Sequence, residues 1–220
     1  MGMSALETTD DVIAFLADCV ARAERGALPS AYGIFARAYH RFTLAIIAYS
    51  PSGIFDDPAW IADFDVRFAK RYQFALENPD RRGAPWKIAF DAAERRSKNA
   101  IRHLMLGINA HMSYDLCEVL LEGVVDDRAR RRRDFLAVNG IIAHAVPSIQ
   151  RLVEDRYGEG LRTMDLLGLN ADELLTEETF TDWRGRAWDD AMGILDGRLT
   201  MPQIERRVAR RARWLSLLPV

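Results

Sequence analysis

His111 and Asp115 are the two residues of this chain whose types and spacing best suit chemistry. They lie four positions apart in the segment Leu104–Cys117, which contains no Lys, Arg or Glu. On a helix this spacing stacks the imidazole and the carboxylate on one face. A carboxylate in so apolar a helix needs a partner, and an imidazole held by a carboxylate is a common general base. We therefore predict that Asp115 is buried and hydrogen-bonded and that His111 transfers a proton.

Polar residues also interrupt the apolar faces of other segments. Asp65 shares a helical stripe with Tyr72, Asn139 follows Phe135 on another, and Arg184 is the cation best placed by periodicity to point inward. Asp65 and Arg184 suit a buried ion pair, which would be structural. Because buried polar groups often form satisfied networks that fix helix packing, a site and a structural network both stay open. The predicted substrate-binding residues are Asp65, Tyr72, Asn109, Tyr114, Asn139 and Arg184.

Helices must position these residues, because apolar residues recur at spacings of three and four and no stretch alternates with period two. The sequence predicts one all-α domain over residues 1–220, with seven or eight helices packed around a central buried helix at about 100–122. A last helix at about 201–217 should dock on the body. An interruption is expected near Ser97–Asn99 and a kink at Pro147. The predicted helix starts are Thr8–Asp11, Pro29, Asp57-Pro58, Pro85, Asp127, Asn170–Asp172 and Thr200.

Composition limits the classes of function. The 30 Lys and Arg residues nearly balance the 32 Asp and Glu residues, so the net charge of -2 does not favour a nucleic-acid partner. The arginine runs at 128–133 and 206–213 are expected to form solvated faces or ion pairs between helices. Cys19 and Cys117, interpreted as buried thiols, predict a reducing, cytoplasmic location. No secretory signal pattern is present, and the longest apolar run, Phe42–Tyr49, is too short for a membrane span.

The segment Gly107-Ile-Asn-Ala-His-Met-Ser-Tyr-Asp-Leu116 resembles the signature Gly-(Ile/Met)-Asn-Ala-His-Ile-x-x-Asp-Leu of a mostly actinobacterial family of all-helical domains of unknown function. The resemblance covers about residues 39–195. A proline commonly follows Asp-Leu in that family, whereas this chain has Cys117. The resemblance implies an all-helical fold and a site at the signature, and it implies no reaction. Other matching pieces are Phe64–Tyr72, Pro85-Trp86 with Ala89-Phe90, Asp134-Phe135 with Val138-Asn139, and Arg184-x-x-Ala-Trp188 with Ala191.

A more distant similarity is to the zinc-dependent phospholipase C and single-strand nuclease fold, in which His-x-x-x-Asp on a helix ligates zinc. His111 and Asp115 match that spacing. Those enzymes use a cluster of His and Asp ligands and an N-terminal tryptophan, whereas this chain has four histidines and no such tryptophan. The similarity therefore implies at most a single zinc ion held by His111, Asp115 and one more histidine.

The favoured function is an intracellular small-molecule enzyme that uses acid–base chemistry without a metal or cofactor. His111 would transfer the proton, and Asp115 would orient it and stabilise its cation. An aromatic-walled cavity would suit cyclisation, isomerisation or elimination of a small apolar, polyketide- or terpenoid-like molecule in specialised metabolism. One alternative is a phospholipase-like metallohydrolase, and the other is a non-catalytic binding or scaffold protein whose polar core is structural. A homo-oligomer is compatible with each of these.

Overall fold

The computed structural model describes residues 5–94, 100–124, 127–166 and 176–217, and these residues are almost entirely helical, with no strand among them. A π-helical turn at His111–Asp115 joins α5 to α6 without a break, so the described residues form eight continuous helices. The predicted all-α single-domain fold is thus confirmed. The helices are α1 (Thr9–Glu24), α2 (Ser30–Tyr49), α3 (Pro58–Glu77), α4 (Ala84–Glu94), α5 (Ala100–Ala110), α6 (Leu116–Gly123), α7 (Arg128–Leu166), α8 (Glu177–Leu195) and α9 (Met201–Leu215).

Most helices begin where the sequence predicts. Polar caps accept the first free backbone N–H groups, as the side chain of Asp57 does from Trp60 at 3.0 Å. Thr8 and Thr200 each form a capping box with the residue three positions on. The predicted helix start at Asn170–Asp172 and the predicted interruption near Ser97–Asn99 lie outside the described residues. Pro147 lies inside α7, which continues through it.

The central helix has the predicted place in the fold. Every residue from Ala100 to Ser113 is buried, and the helix contacts α2, α3 and α4 from the first part of the chain and α7, α8 and α9 from the second. Helix α9 docks through its apolar face, as expected, with Ile204, Val208 and Leu215 fully buried. The segment 107–116, which carries His111, therefore lies at the centre of the molecule.

The basic runs form ion pairs between helices. Arg128 pairs with Asp196 at 2.9 Å, Arg131 pairs with Asp57 at 2.6 Å, and Arg207 pairs with Asp190. These contacts agree with the expected role of the runs, because each arginine neutralises an aspartate of another segment. The pair of Arg128 with Asp196 is exposed, and such pairs contribute about 0–1 kcal/mol each.

One part of α7, Arg128–Val153, is long and apolar enough to span a membrane if judged by length and composition alone. A core helix of a soluble protein passes the same test, and α7 packs against α2 and α8. Less than half of the stretch is buried. A single helix of this kind is a weak indication, and the sequence-based expectation of no membrane span stays a prediction.

Candidate functional site

His111 and Asp115 form a buried hydrogen-bonded pair. Nδ1 of His111 lies 2.8 Å from Oδ2 of Asp115, and both side chains are about 3% exposed. The same carboxylate oxygen accepts the indole N–H of Trp86 on α4 at 2.8 Å. The prediction that Asp115 is buried and hydrogen-bonded is therefore confirmed. Both residues belong to the π-helical turn, a type of local helix widening that occurs often at functional sites.

Aromatic rings hold the imidazole of His111 in place. The ring of Phe68 on α3 stacks on it with centroids 3.5 Å apart and planes 9° apart, and the ring of Tyr39 on α2 lies 4.6 Å away. Phe35 meets the imidazole edge-on at 5.6 Å. The close approach of Phe35 requires Gly107, because a Cβ atom at that position would lie 2.7 Å from the Phe35 ring. The imidazole is thus fixed by packing as well as by Asp115.

A cavity of about 80 Å³ lies beside this pair, between α2, α3, the central helix, α7 and α8. Its wall includes three charged or titratable side chains, those of His111, Asp65 and Arg184, and the hydroxyl-bearing ring of Tyr39. The rest of the wall is apolar, so the cavity has the aromatic character that the sequence-based function requires. The other aromatic rings of the wall come from Phe35, Phe42, Trp60, Phe64, Phe68 and Phe135.

Asp65 is a buried carboxyl group without a cation. Its side chain is buried on α3, and its Oδ2 has no hydrogen-bond partner among the described residues. Burial raises the pKa of Asp65 to about 7, because the charged form loses hydration that no neighbour replaces. Near neutral pH the group is therefore divided between its acid and its carboxylate.

The predicted ion pair between Asp65 and Arg184 is wrong. Both residues line the cavity, but Nε of Arg184 donates to Oδ1 of Asn139 at 2.7 Å, and its Nη2 donates to the carbonyl of Phe135 at 2.7 Å. The guanidinium carbon also lies 4.1 Å from the centre of the Phe135 ring. These contacts turn the guanidinium toward α7 rather than toward Asp65. Burial lowers the pKa of Arg184 to about 9, so the group remains a cation at neutral pH.

Burial also shifts the pKa values of His111 and Asp115. It lowers the pKa of His111 and raises the pKa of Asp115, while the Trp86 hydrogen bond opposes the rise for Asp115. Since the two groups share a hydrogen bond, they gain and lose protons as a unit. The pKa of Tyr39 is raised by burial and by the charges of Asp65 and Asp115, which keeps its hydroxyl protonated.

Several polar atoms around the pair have no hydrogen-bond partner among the described residues. They are His111 Nε2, Asp65 Oδ2, Tyr39 Oη and Tyr72 Oη. A buried polar atom that lacks a partner costs about 1–3 kcal/mol, and native proteins contain few of them. His111, Asp65 and Tyr39 line the cavity, where a ligand or water can supply the missing partners. Other unpartnered buried atoms of the described residues, such as Thr43 Oγ1 and Asn109 Oδ1, lie away from its wall.

The other predicted site residues divide into two groups. Tyr72 lies next to the site, where it lines a second void of about 10 Å³ with Trp86, and Asn139 orients Arg184 from behind the cavity wall. Asn109 donates instead to the carbonyl of Val208 at 3.2 Å and so attaches α9 to the central helix. Tyr114 is half-buried and packs on Gly83. Neither Asn109 nor Tyr114 is among the cavity-lining residues.

Three functional neighbours were not identified as such from the sequence. Trp86 is the second partner of Asp115, and Phe68 and Tyr39 enclose His111. Tyr39 and Phe68 each lie on a helical stripe of apolar residues, which is typical of core packing and gives no separate signal. For Trp86 the only signal was its place in Pro85-Trp86, one of the pieces of the sequence-based family resemblance.

The donor set for a metal is incomplete. The described part of the chain contains no group of three or more His, Cys, Asp or Glu side chains that could together hold a metal ion. His111 and Asp115 thus have no third donor of the kind that a zinc site needs. Within these residues, the arrangement does not fit the phospholipase-like alternative.

Comparison with known sequences identifies a relationship at the level of the family. The sequence profile of DUF5995, described as a family of unknown function, matches residues 9–217, which is almost the whole chain. No curated protein and no solved structure gives a significant match.

Proposed function

Because the chain belongs to DUF5995, a family of unknown function, we propose its activity from the site alone: an enzyme that moves a proton on a small, largely apolar molecule by metal-independent acid–base chemistry. The reactions that suit such a site are cyclisation, isomerisation and elimination. In each of them a proton is removed at one atom and delivered at another, and an apolar wall protects reactive intermediates from water.

One observation carries this proposal. His111 is hydrogen-bonded to Asp115 through Nδ1, its Nε2 has no partner among the described residues, and its ring lines a cavity. A buried histidine with a purely structural role normally uses both nitrogens, because an unsatisfied buried nitrogen is costly. A general base needs the arrangement seen here, in which one nitrogen is oriented by a carboxylate and the other is free.

The proposed chemistry uses two proton carriers. With Asp115 ionised, Nδ1–H of His111 donates to it and the lone pair of Nε2 accepts a proton from the ligand. Asp115 then stabilises the imidazolium. Asp65, whose pKa of about 7 leaves both of its forms populated at neutral pH, supplies or removes the second proton.

The wall of the cavity supports a small, apolar substrate. Free space of about 80 Å³ accommodates only a few non-hydrogen atoms, so a larger polyketide- or terpenoid-like substrate requires movement of wall side chains. The unpartnered polar atoms on the cavity wall support a ligand site over a purely structural core. Among the described residues, the lack of a third donor argues against a metallohydrolase. A cytoplasmic location remains part of the proposal, and a homo-oligomer is compatible with it.

Hydrogen–deuterium exchange tests proton transfer without knowledge of the natural substrate. The protein is incubated in D₂O with a panel of small ketones, enones and carboxylic acids, and deuterium uptake at carbon is followed by NMR and mass spectrometry. We expect at least one compound to exchange faster with the parent protein than without protein. The His111→Gln substitution should reduce that rate by about 100-fold, the usual scale for loss of a general base.

The matched control is His144→Gln, which changes an exposed histidine on α7. It should exchange at the parental rate. Equal exchange by the parent and His111→Gln across the whole panel, with both proteins folded, would contradict the proposal.

A further inference from the structure

Arg184 is a buried cation that has no anionic partner among the described residues. Its side chain is 5% exposed, and its two hydrogen-bond acceptors, Asn139 and the Phe135 carbonyl, are both neutral. Burying a cation without a counter-ion costs several kcal/mol, which neutral acceptors offset only in part. Arg131 provides a contrast, because this half-buried arginine pairs with Asp57 at 2.6 Å.

Hydrogen bonds and ring packing fix the orientation of the Arg184 guanidinium. Nε and Nη2 are bonded to α7, and the ring of Phe135 lies under the guanidinium plane. These contacts fix the orientation of the group and leave Nη1 without a hydrogen bond in the described part of the chain. Arg184 also lines the cavity. A preorganised guanidinium with free N–H groups is a good binder of carboxylates and similar oxyanions.

The rest of the cavity wall does not supply that anion. Among the described residues that line the cavity, Asp65 is the single acidic one. It makes no ion pair with Arg184, whose hydrogen bonds go to Asn139 and Phe135. Because Asp65 populates its neutral form near pH 7, it also opposes an incoming anion less than an ordinary aspartate would. The apolar rings that make up most of the wall suit the body of a ligand rather than its charged group.

We propose that the ligand of this cavity is an amphipathic acid whose carboxylate, or an equivalent oxyanion, binds Arg184 while its apolar body lies against the aromatic wall. The inference deepens the proposed function, because it names the substrate class of the same cavity. His111 and Asp65 then face the apolar body, so that proton transfer takes place on carbon atoms at a distance from the anionic group.

Hexanoate and hexan-1-ol form a matched pair of probes, since they share a chain length and differ in charge. Binding to the parent protein is measured at pH 7 by NMR titration and calorimetry. Hexanoate should bind at least about 10-fold more tightly than the alcohol, the effect expected for one charge-assisted hydrogen bond. In Arg184→Met this preference should disappear, whereas Arg211→Met, which removes an arginine stacked on Trp183 outside the cavity, should retain it.

Arg184→Lys provides a second test if the methionine variant does not fold. Lysine keeps the charge but lacks the planar fork, so we expect the preference for hexanoate to persist with an affinity reduced about 10-fold. The proposal would be overturned by equal binding of the two probes by the parent or by no binding of hexanoate. An unchanged preference in Arg184→Met, or an unchanged affinity for hexanoate in Arg184→Lys, would overturn it as well.

The two proposals fail in different ways. His111→Gln should lose deuterium exchange but keep its preference for hexanoate, because Arg184 is unchanged. If the parent shows that preference but no exchange, the acid-binding site stands and the enzyme proposal falls. If the parent shows exchange but no preference for hexanoate, the enzyme proposal stands and the acid-binding site falls.

Discussion

Asp65 lies on the wall of the cavity without a compensating charge, and its cost to the fold depends on pH. In the unfolded chain a carboxyl group of this type ionises near pH 3.8, whereas burial raises the pKa in the folded protein to about 7. Between these values the folded state holds a proton that the unfolded state has released. The contribution of Asp65 to the free energy of unfolding must therefore fall as the pH rises from about 4 to about 7 and then level off.

Asp65→Asn tests this directly, because asparagine has nearly the same shape and cannot ionise. Relative to the parent, the variant should gain roughly 3 kcal/mol of stability between pH 4.5 and pH 8, whatever its stability at the lower pH. Urea unfolding at a series of pH values gives this difference. The control is Asp63→Asn, an exposed aspartate on the same helix, whose difference from the parent should stay within about 0.5 kcal/mol. Parallel pH curves for the parent and Asp65→Asn would show that Asp65 is hydrated or paired.

At the residue scale, the sequence predicted contacts between side chains of one helix better than contacts between side chains of different helices. The pairing of His111 with Asp115 follows from a spacing of four, which the π-helical turn preserves at 2.8 Å. The wrong ion pair of Asp65 with Arg184 has a different origin. Periodicity indicates which face of a helix is buried, but the rotation of the guanidinium toward Asn139 depends on how α7 and α8 pack.

At the scale of elements, the packing of α2 against the central helix depends on Gly107. This glycine has ordinary helical geometry, so its role is to let a ring approach the backbone. A Cβ atom there would lie 2.7 and 2.8 Å from two atoms of the Phe35 ring. That ring cannot easily retreat, because it contacts the rings of Tyr72, Trp86 and His111.

We expect Gly107→Ala to destabilise the protein by about 1–2 kcal/mol, although alanine is the better helix former by about 1 kcal/mol. The matched control is Gly140→Ala on α7, where the new methyl group meets nothing within 4 Å, and this change should stabilise the fold by up to about 1 kcal/mol. Chemical denaturation of the two variants beside the parent measures both effects. Stabilisation by Gly107→Ala would show that Phe35 moves aside at little cost.

Most of the helices could be predicted from the sequence because their ends carry local signals. The capping residues Thr8, Asp57 and Thr200 act on backbone groups within a few positions, so the sequence alone contains the information. The cavity could not be predicted in this way. It exists because side chains from five parts of the chain leave a space, and its depth beside His111 is a property of their packing.

At the scale of the whole molecule, the central helix joins the two parts of the chain. It contacts α2, α3 and α4 on the N-terminal side and α7, α8 and α9 on the C-terminal side. The site repeats this arrangement, since Asp65 comes from α3, His111 from the central helix and Arg184 from α8. The segment Leu104–Cys117 was predicted to be central because it lacks Lys, Arg and Glu. A helix without a polar face must be covered on all sides.

This arrangement predicts that neither part is stable without the other, so the protein should unfold in one step even though it exceeds the usual size limit of about 150 residues for such behaviour. Urea transitions followed by helical circular dichroism and by tryptophan fluorescence should coincide, and the slowest-exchanging amides of α2 and α8 should open with free energies within about 1 kcal/mol of each other. Gly107→Ala should lower both opening free energies equally, because it weakens the helix that the two parts share. A variant that lowers only the value for α2, or transitions that separate, would mean that the C-terminal helices hold together independently and that the cavity opens by their movement.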